Sequence, residues 1–308
     1  MAKIGIIINP HSKRIKRMKT DPVLYYKNIG SEFADVRLTR NSDDIIKAAK
    51  DFKKQNISYL AISGGDGSIH LVISKFISVY KNSKLPNILI LRDGSMNNIA
   101  RSYQLKGKGS FLLNKLVNAI RNKNEIRIVY RNTMKVNDMY CFLFGLGFTA
   151  NFTNEFNKGG NKSPLKAIKV ILITALQTLI KKDSGIFERM NLRVIADGKE
   201  LGFNDFFAIF AATIANLAIS FTPTPRAYEK KNAFHLIASG ITPGQLLLNF
   251  NRIRKGIPVK LPNHYDNVAS DLKIICKGKF LYQMDGDIYE ANKSLHVTPG
   301  PQIGFVSF

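Results

Sequence analysis

Cysteine, acidic side chains and long apolar runs are all scarce in this chain. Its 308 residues include two cysteines, Cys141 and Cys276, far apart in sequence. That separation suggests neither a disulfide framework nor a cysteine zinc site, and it fits a reducing compartment. Asp and Glu number 22 against 46 Lys and Arg, a formal net charge of +24. Such an excess points to an anionic partner, whether a phosphorylated ligand, an anionic membrane or nucleic acid, without choosing among them. No zinc-finger spacing or other nucleic-acid-binding motif accompanies the charge, so nucleic acid is not expected. The longest apolar stretch, residues 206–221, is interrupted by Asn216 and falls short of the roughly 20 residues that span a bilayer. Met1-Ala2-Lys3 runs straight into Ile4-Gly5-Ile6-Ile7-Ile8, which is too short for a signal core and reads as a first strand. The expectation is a cytoplasmic protein, at most peripheral to a membrane.

The chain does have the apolar content of a globular protein, 45%, and enough length for about two domains. Its first third alternates strand and helix patterns. Residues 4–8, 36–38, 59–62 and 88–91 read as strands. Asn41-Ser42-Asp43-Asp44 opens a helix with Ile45, Ile46, Ala49 and Phe52 on one face. This rhythm predicts a doubly wound α/β domain with a parallel sheet, whose ligands bind at the C-terminal ends of strands. From about residue 125 the texture turns to short strands, among them 126–130, 140–144, 206–214, 234–238, 272–276 and 280–284. Residues 188–196 and 199–203 flank an Asp197-Gly198 hairpin turn. The second domain is therefore expected to be a mostly antiparallel β-sandwich, interrupted by one basic amphipathic helix at 164–182. That helix suits either an anionic membrane or the protein's own core.

The strongest local signal is Ser63-Gly64-Gly65-Asp66-Gly67-Ser68, which follows a buried strand. It precedes Ile69, Val72, Ile73, Phe76 and Ile77 at helical spacing. Strand, glycine turn and helix form a phosphate cradle: glycines let the backbone approach, amides point inward, and the helix N-terminus favours negative charge. Asp66 in such a turn is a candidate magnesium-side or water-organising group, or simply a helix cap. Three segments join it. Asn9-Pro10-His11-Ser12-Lys13-Arg14 follows the first strand, and with Lys16, Arg17 and Lys19 it offers cations for phosphate. Asp93-Gly94-Ser95-Met96-Asn97-Asn98 opens another helix, with Ser95 and Asn97 as neutral donors and acceptors. Met284-Asp285-Gly286-Asp287 carries two carboxylates around a glycine, suited to proton transfer or metal holding, or to a plain hairpin turn.

Taken in order, these four segments resemble the diacylglycerol-kinase-type lipid kinases, to which sphingosine and ceramide kinases are related. The family pattern is Asn-Pro-x-Ser-Gly, Gly-Gly-Asp-Gly-Thr, Gly-Thr-x-Asn-Asp-x-Ala-Arg and a late Asp-Gly-Glu. Its counterparts here are Asn9 to Lys13, Gly64 to Ser68, Gly94 to Arg101 and Asp285 to Asp287. The closing segment, residues 294–301, also looks like the family's. The resemblance implies a domain of the kind shared by NAD kinases and diacylglycerol kinases, built from residues 1–128 with 292–308, and a lipid-acceptor domain at 129–291. ATP would lie between them, against Asn9, Ser12, Lys13, Gly64, Gly65, Asp66, Gly67, Ser68, Gly94, Ser95 and Asn97. Asp285 would be the general base, with Asp66 and Asp287 completing the catalytic set and holding Mg²⁺. The acceptor would be a hydroxyl of a membrane lipid, with the basic surface on an anionic bilayer.

The chain departs from the pattern at Lys13 for Gly, Ser68 for Thr, Asn98 for Asp and Asp287 for Glu. Thr149 follows Gly145-Leu146-Gly147-Phe148 where relatives often carry an acid. Lacking that acid, a neutral lipid such as diacylglycerol or ceramide is favoured over an amine-bearing sphingoid base. A NAD-kinase-like enzyme and a catalytically impaired lipid- or nucleotide-binding protein are the alternatives.

Overall fold

The computed structural model describes residues 3–94, 98–102, 107–158, 185, 187–217 and 221–308. The chain divides into two compact units, residues 1–131 with 302–308 and residues 132–301.

The first unit alternates strand and helix in chain order. It runs β1 (Ile4–Ile8), α1 (Pro22–Gly30), β2 (Ala34–Leu38), α2 (Ser42–Lys54), β3 (Tyr59–Ser63), α3 (Asp66–Tyr80) and β4 (Asn87–Ile90). It continues with α4 (Asn98–Ser102), α5 (Gly109–Arg121) and β5 (Arg127–Arg131), and is completed by the chain's last strand, β18 (Ile303–Ser307). The sheet order is β2-β1-β3-β4-β18-β5. Pairings from β2 to β18 are parallel, and β5 is antiparallel to β18. The helices lie on both faces. Tyr26 of α1 and Leu112, Leu113 and Leu116 of α5 pack against Ile4, Ile6, Ile8 and Leu89. Phe52 of α2 and Phe76 of α3 meet each other, their ring centroids 6.4 Å apart. Local chemistry explains the helix bounds. Asn41 accepts a hydrogen bond from the Asp44 amide, Asp43 and Asp44 occupy the first turn of α2, and Lys53 and Lys54 its last.

The second unit is antiparallel, as its short strands predict. It holds β6 (Met134–Val136), β7 (Met139–Cys141), β8 (Leu143–Gly147), α6 (Phe148–Lys158), β9 (Met190–Asn191), β10 (Arg193–Ala196) and β11 (Lys199–Glu200). There follow β12 (Asp205–Phe206), β13 (Ala208–Ala212), β14 (Phe234–Ser239), α7 (Pro243–Arg254), β15 (His264–Ala269), β16 (Leu272–Met284) and β17 (Asp287–Pro299). One hydrogen-bonded path runs β15-β14-β13-β8-β16-β17-β6-β7. The register of β16 on β17 shifts between Ile275 and Lys279. On either side of that shift β16 takes a different partner, β10 along Leu272 to Ile275 and β8 along Tyr282 to Met284. The unit's main apolar cluster includes Phe144, Val194, Phe206, Phe234, Leu272 and Leu295, and a smaller one gathers Phe187, Phe207, Ile241 and Leu246.

Helices α6 and α7 are not anticipated from the sequence. The one expected in this region, 164–182, lies outside the described residues. Residues 292–299 belong to β17, within the second unit, and only 302–308 go with the first.

Candidate active site

Strands β1, β2 and β3 lie side by side and parallel, so their C-terminal ends share one edge of the first unit. β3 ends at Ser63, and α3 begins at Asp66 after Gly64 and Gly65. No side chain caps the N-terminus of α3, so its first amides are not held by a cap. A Cβ added to Gly64 would stand 2.5 Å from the Ser68 Cβ, and one on Gly65 would stand 3.4 Å from the Gly94 Cα. The first glycine is needed for packing. The second keeps the turn bare where two motif loops approach.

Asn9 ties the first loop to this turn. Its amide donates to the Ser63 carbonyl at 2.9 Å, and its Nδ2 donates to the Ser68 hydroxyl at 2.7 Å. Its Oδ1 accepts from the His11 amide at 2.8 Å. Ser12 is buried, and its hydroxyl has no partner among the described residues. Lys13, Lys16, Arg17 and Lys19 are exposed. Asp66 is half-buried, and its Oδ1 accepts from the Ile99 amide at 3.1 Å, linking α3 to the start of α4. Ser95 and Asn97 lie outside the described residues.

Two features of this edge go beyond the sequence-derived set. The first is Asp93, fully buried just before Gly94. It accepts from Tyr26 Oη at 2.5 Å and Ser63 Oγ at 2.6 Å, and Arg14 Nη1 lies 3.2 Å from its other oxygen. Arg14 is therefore committed to holding its loop. Burial, reinforced by the Asp93 charge, raises the Tyr26 pKa far above its ordinary value. The second is a cavity of ≈ 90 Å³ lined by Asn9, Thr39, Arg40, Asn41, Ser63 and Ser68, among others. Thr39 to Asn41 follow β2 and carry no ligand-binding motif, Asn41 being read from sequence only as the cap of α2. Only the parallel neighbourhood of β2 and β1 marks them.

In the second unit Asp285 and Gly286 form the two-residue turn between β16 and β17, with Met284 paired to Asp287. Their φ values, 48° and 95°, are those of an Asp-Gly hairpin turn. Asp285 is buried, and Asp287 is exposed. The Asp285 carboxylate accepts from the Leu143 amide at 2.8 Å and from the Phe142 amide at 3.1 and 3.2 Å. Its own amide donates to the Leu143 carbonyl at 3.0 Å. A carboxylate held this way is locked in orientation. Burial, and secondarily the Asp285 charge, pushes the Cys141 thiol well above its usual pKa.

Among the described residues no group of three or more His, Cys, Asp or Glu is placed to hold a metal. A magnesium ion bound chiefly through substrate phosphates needs only one or two carboxylates, and Asp66 beside a bare glycine turn fits that donor chemistry. No described helix is long and apolar enough to cross a membrane.

Residues 3–128 match the sequence profile of the diacylglycerol kinase catalytic domain. No curated protein sequence matches the chain. The fold is similar to that of a Bacillus anthracis str. Sterne protein provisionally named a diacylglycerol kinase, with TM-score 0.73 and 13% identity, covering 99% of this chain and 97% of that one. A further diacylglycerol kinase structure from the same organism gives TM-score 0.67 and 10% identity at the same coverage. Yeast NADH kinase complexed with NADH gives TM-score 0.51 and 13% identity, over 100% of this chain and 84% of that one. The four motifs and the profile agree on the same family for this part of the chain: residues 3–128 match the diacylglycerol kinase catalytic domain, and the whole chain shares its fold with these solved structures.

Proposed function

We propose that this protein is an ATP- and Mg²⁺-dependent lipid kinase that phosphorylates a hydroxyl of a diacylglycerol-like or ceramide-like lipid at an anionic membrane surface. The observation that carries the reading is the bare, uncapped glycine turn Gly64–Gly65 at the end of a parallel strand, inside the matched catalytic domain. Nucleotide phosphates lie on Gly64, Gly65, Gly67 and the first amides of α3. Asn9, Ser12, Lys13, Ser68, Gly94, Ser95 and Asn97 line the nucleotide. The unpartnered Ser12 hydroxyl and the exposed Lys13 are suited to phosphate oxygens.

Asp285 is the general base, held in one orientation by the Phe142 and Leu143 amides. The lipid hydroxyl passes its proton to Asp285 as its oxygen bonds to the γ-phosphorus. The bond to the β,γ-bridging oxygen breaks, and ADP leaves. Asp66 and Asp287 are the carboxylates that would hold magnesium. When bound, the ion offsets phosphate charge.

A NAD-kinase-like activity is the second reading, favoured by the likeness to yeast NADH kinase. Labelled ATP turnover against diacylglycerol, monoacylglycerol, ceramide, sphingosine, phosphatidylglycerol and NAD, in anionic mixed micelles with Mg²⁺, separates the two. Label on a lipid, lost in Asp285→Asn with the melting temperature retained, is the expected result. Label on NAD alone gives the second reading. Binding of ATP or lipid without transfer would mark a non-catalytic binding protein.

A further inference from the structure

We propose that helix α7 is the element that seats this protein on an anionic bilayer. The inference deepens the lipid-kinase reading by naming the surface that meets the membrane. The helix is held firmly on its own unit. Thr242 and Gln245 form a reciprocal capping box at its start, and Leu246 is buried with Phe187, Phe207 and Ile241. At 100° per residue, Leu248, Asn251, Arg252 and Lys255 fall together on the opposite side, and all four are exposed. Leu248 is 86% exposed, the most exposed large apolar side chain among the described residues.

The segment continues in the same chemistry. Arg252 Nη2 donates to the Pro258 carbonyl at 3.0 Å, fastening a tail that exposes Ile257 and Lys260. Residues 243–260 contain Arg252, Arg254, Lys255 and Lys260 and no acid. Cations in the last turn suit the helix dipole, but that accounts for neither the bare leucine among them nor the exposed isoleucine after them. Apolar side chains projecting from an acid-free basic face complement a surface of anionic headgroups over hydrocarbon. A protein partner with an acidic groove would leave Leu248 facing polar groups.

The test is flotation of the full chain with phosphatidylcholine vesicles, with and without phosphatidylglycerol. Wild type is expected to float with the anionic vesicles and weakly with the neutral ones. Leu248→Gln should weaken binding about tenfold, consistent with partial burial of one leucine. Arg252→Gln with Lys255→Gln should weaken it about 30-fold, from roughly fivefold per cation. Lys47→Gln with Lys50→Gln, exposed positions on α2, removes the same charge and should change binding less than twofold. Glutamine keeps helix propensity, and a melting curve checks each fold.

Wild type that ignores anionic vesicles overturns the proposal. So does an equal loss in the α2 pair, which would make the binding diffuse charge attraction, or a Leu248→Gln variant that binds normally. A wild-type dimer dispersed by Leu248→Gln would overturn it too, giving the face to a second copy. Flotation involves no turnover. The kinase reading falls instead if no acceptor, including a short-chain soluble one, is phosphorylated.

Discussion

Asp93 is where a single residue carries the most of the candidate site. It gathers Tyr26 from α1, Ser63 from the end of β3 and Arg14 from the first loop, all on one buried carboxylate. Asp93→Ala should lower stability by about 3 kcal/mol, because two hydroxyls lose their acceptor and Arg14 its counter-charge. A urea midpoint measures it. Gly65→Ala should separate fold from function. Among the described residues its Cβ meets only ordinary contact at 3.4 Å and its φ of −96° suits any residue, so stability should change by less than about 0.5 kcal/mol. The methyl group would occupy the proposed phosphate cradle, and on that reading nucleotide KM should rise at least about tenfold. Tyr80 makes a pH prediction. Its hydroxyl is buried without a partner among the described residues, and burial pushes its pKa up to about 12. The unfolded chain ionises near pH 10 and the folded chain later. The stability tied to this proton is therefore whole below about pH 10 and is lost as pH rises toward 12. Tyr80→Phe should be neutral or up to about 1 kcal/mol stabilising at neutral pH, with a shallower alkaline loss in urea titrations.

Two elements with the same two-residue signature show what local sequence does and does not disclose. Asp197-Gly198 and Asp285-Gly286 both make hairpin turns with positive φ at both positions. Asp197 is exposed and accepts from the Ser270 and Asp271 amides, whereas Asp285 is buried against the Phe142 and Leu143 amides. The turn was legible from composition. The burial was not, because it depends on residues 143 positions away. Gly286→Ala should cost about 1 kcal/mol or more through backbone strain alone, since open space surrounds it at φ 95°. Chemical denaturation reads that cost. The parallel strands and helices α2 and α3 were legible because their apolar spacing and caps agree with the final packing. Helix α6 was hidden. Its threonines, phenylalanines and asparagines are indifferent helix formers, and the helix forms where it packs on β8, β13, β16 and β17. Helix α7 does carry a signal, Thr242-Pro243 with Gln245, but it is short and set among strand-like segments.

For the whole molecule, the deciding topological fact is that β18 lies inside the first sheet, between β4 and β5, although 170 residues of another unit precede it. Removing residues 302–308 should therefore not trim an edge but open the sheet. The expected outcome is loss of the first unit's cooperative unfolding transition in calorimetry, along with loss of nucleotide binding. The candidate site had a comparable long-range component. The glycine turn and the Asn9 loop were readable as motifs, while Thr39 to Asn41 enter the same cavity only through strand order. Synthesis gives β18 a temporal meaning. The proposed phosphate turn is made more than 200 residues before β18, so the sheet that steadies it stays unfinished until residues near 305 leave the ribosome. A chain still lacking β18 would not carry out the proposed reaction, and until then it would present an unpaired β4 edge that chaperones must shield.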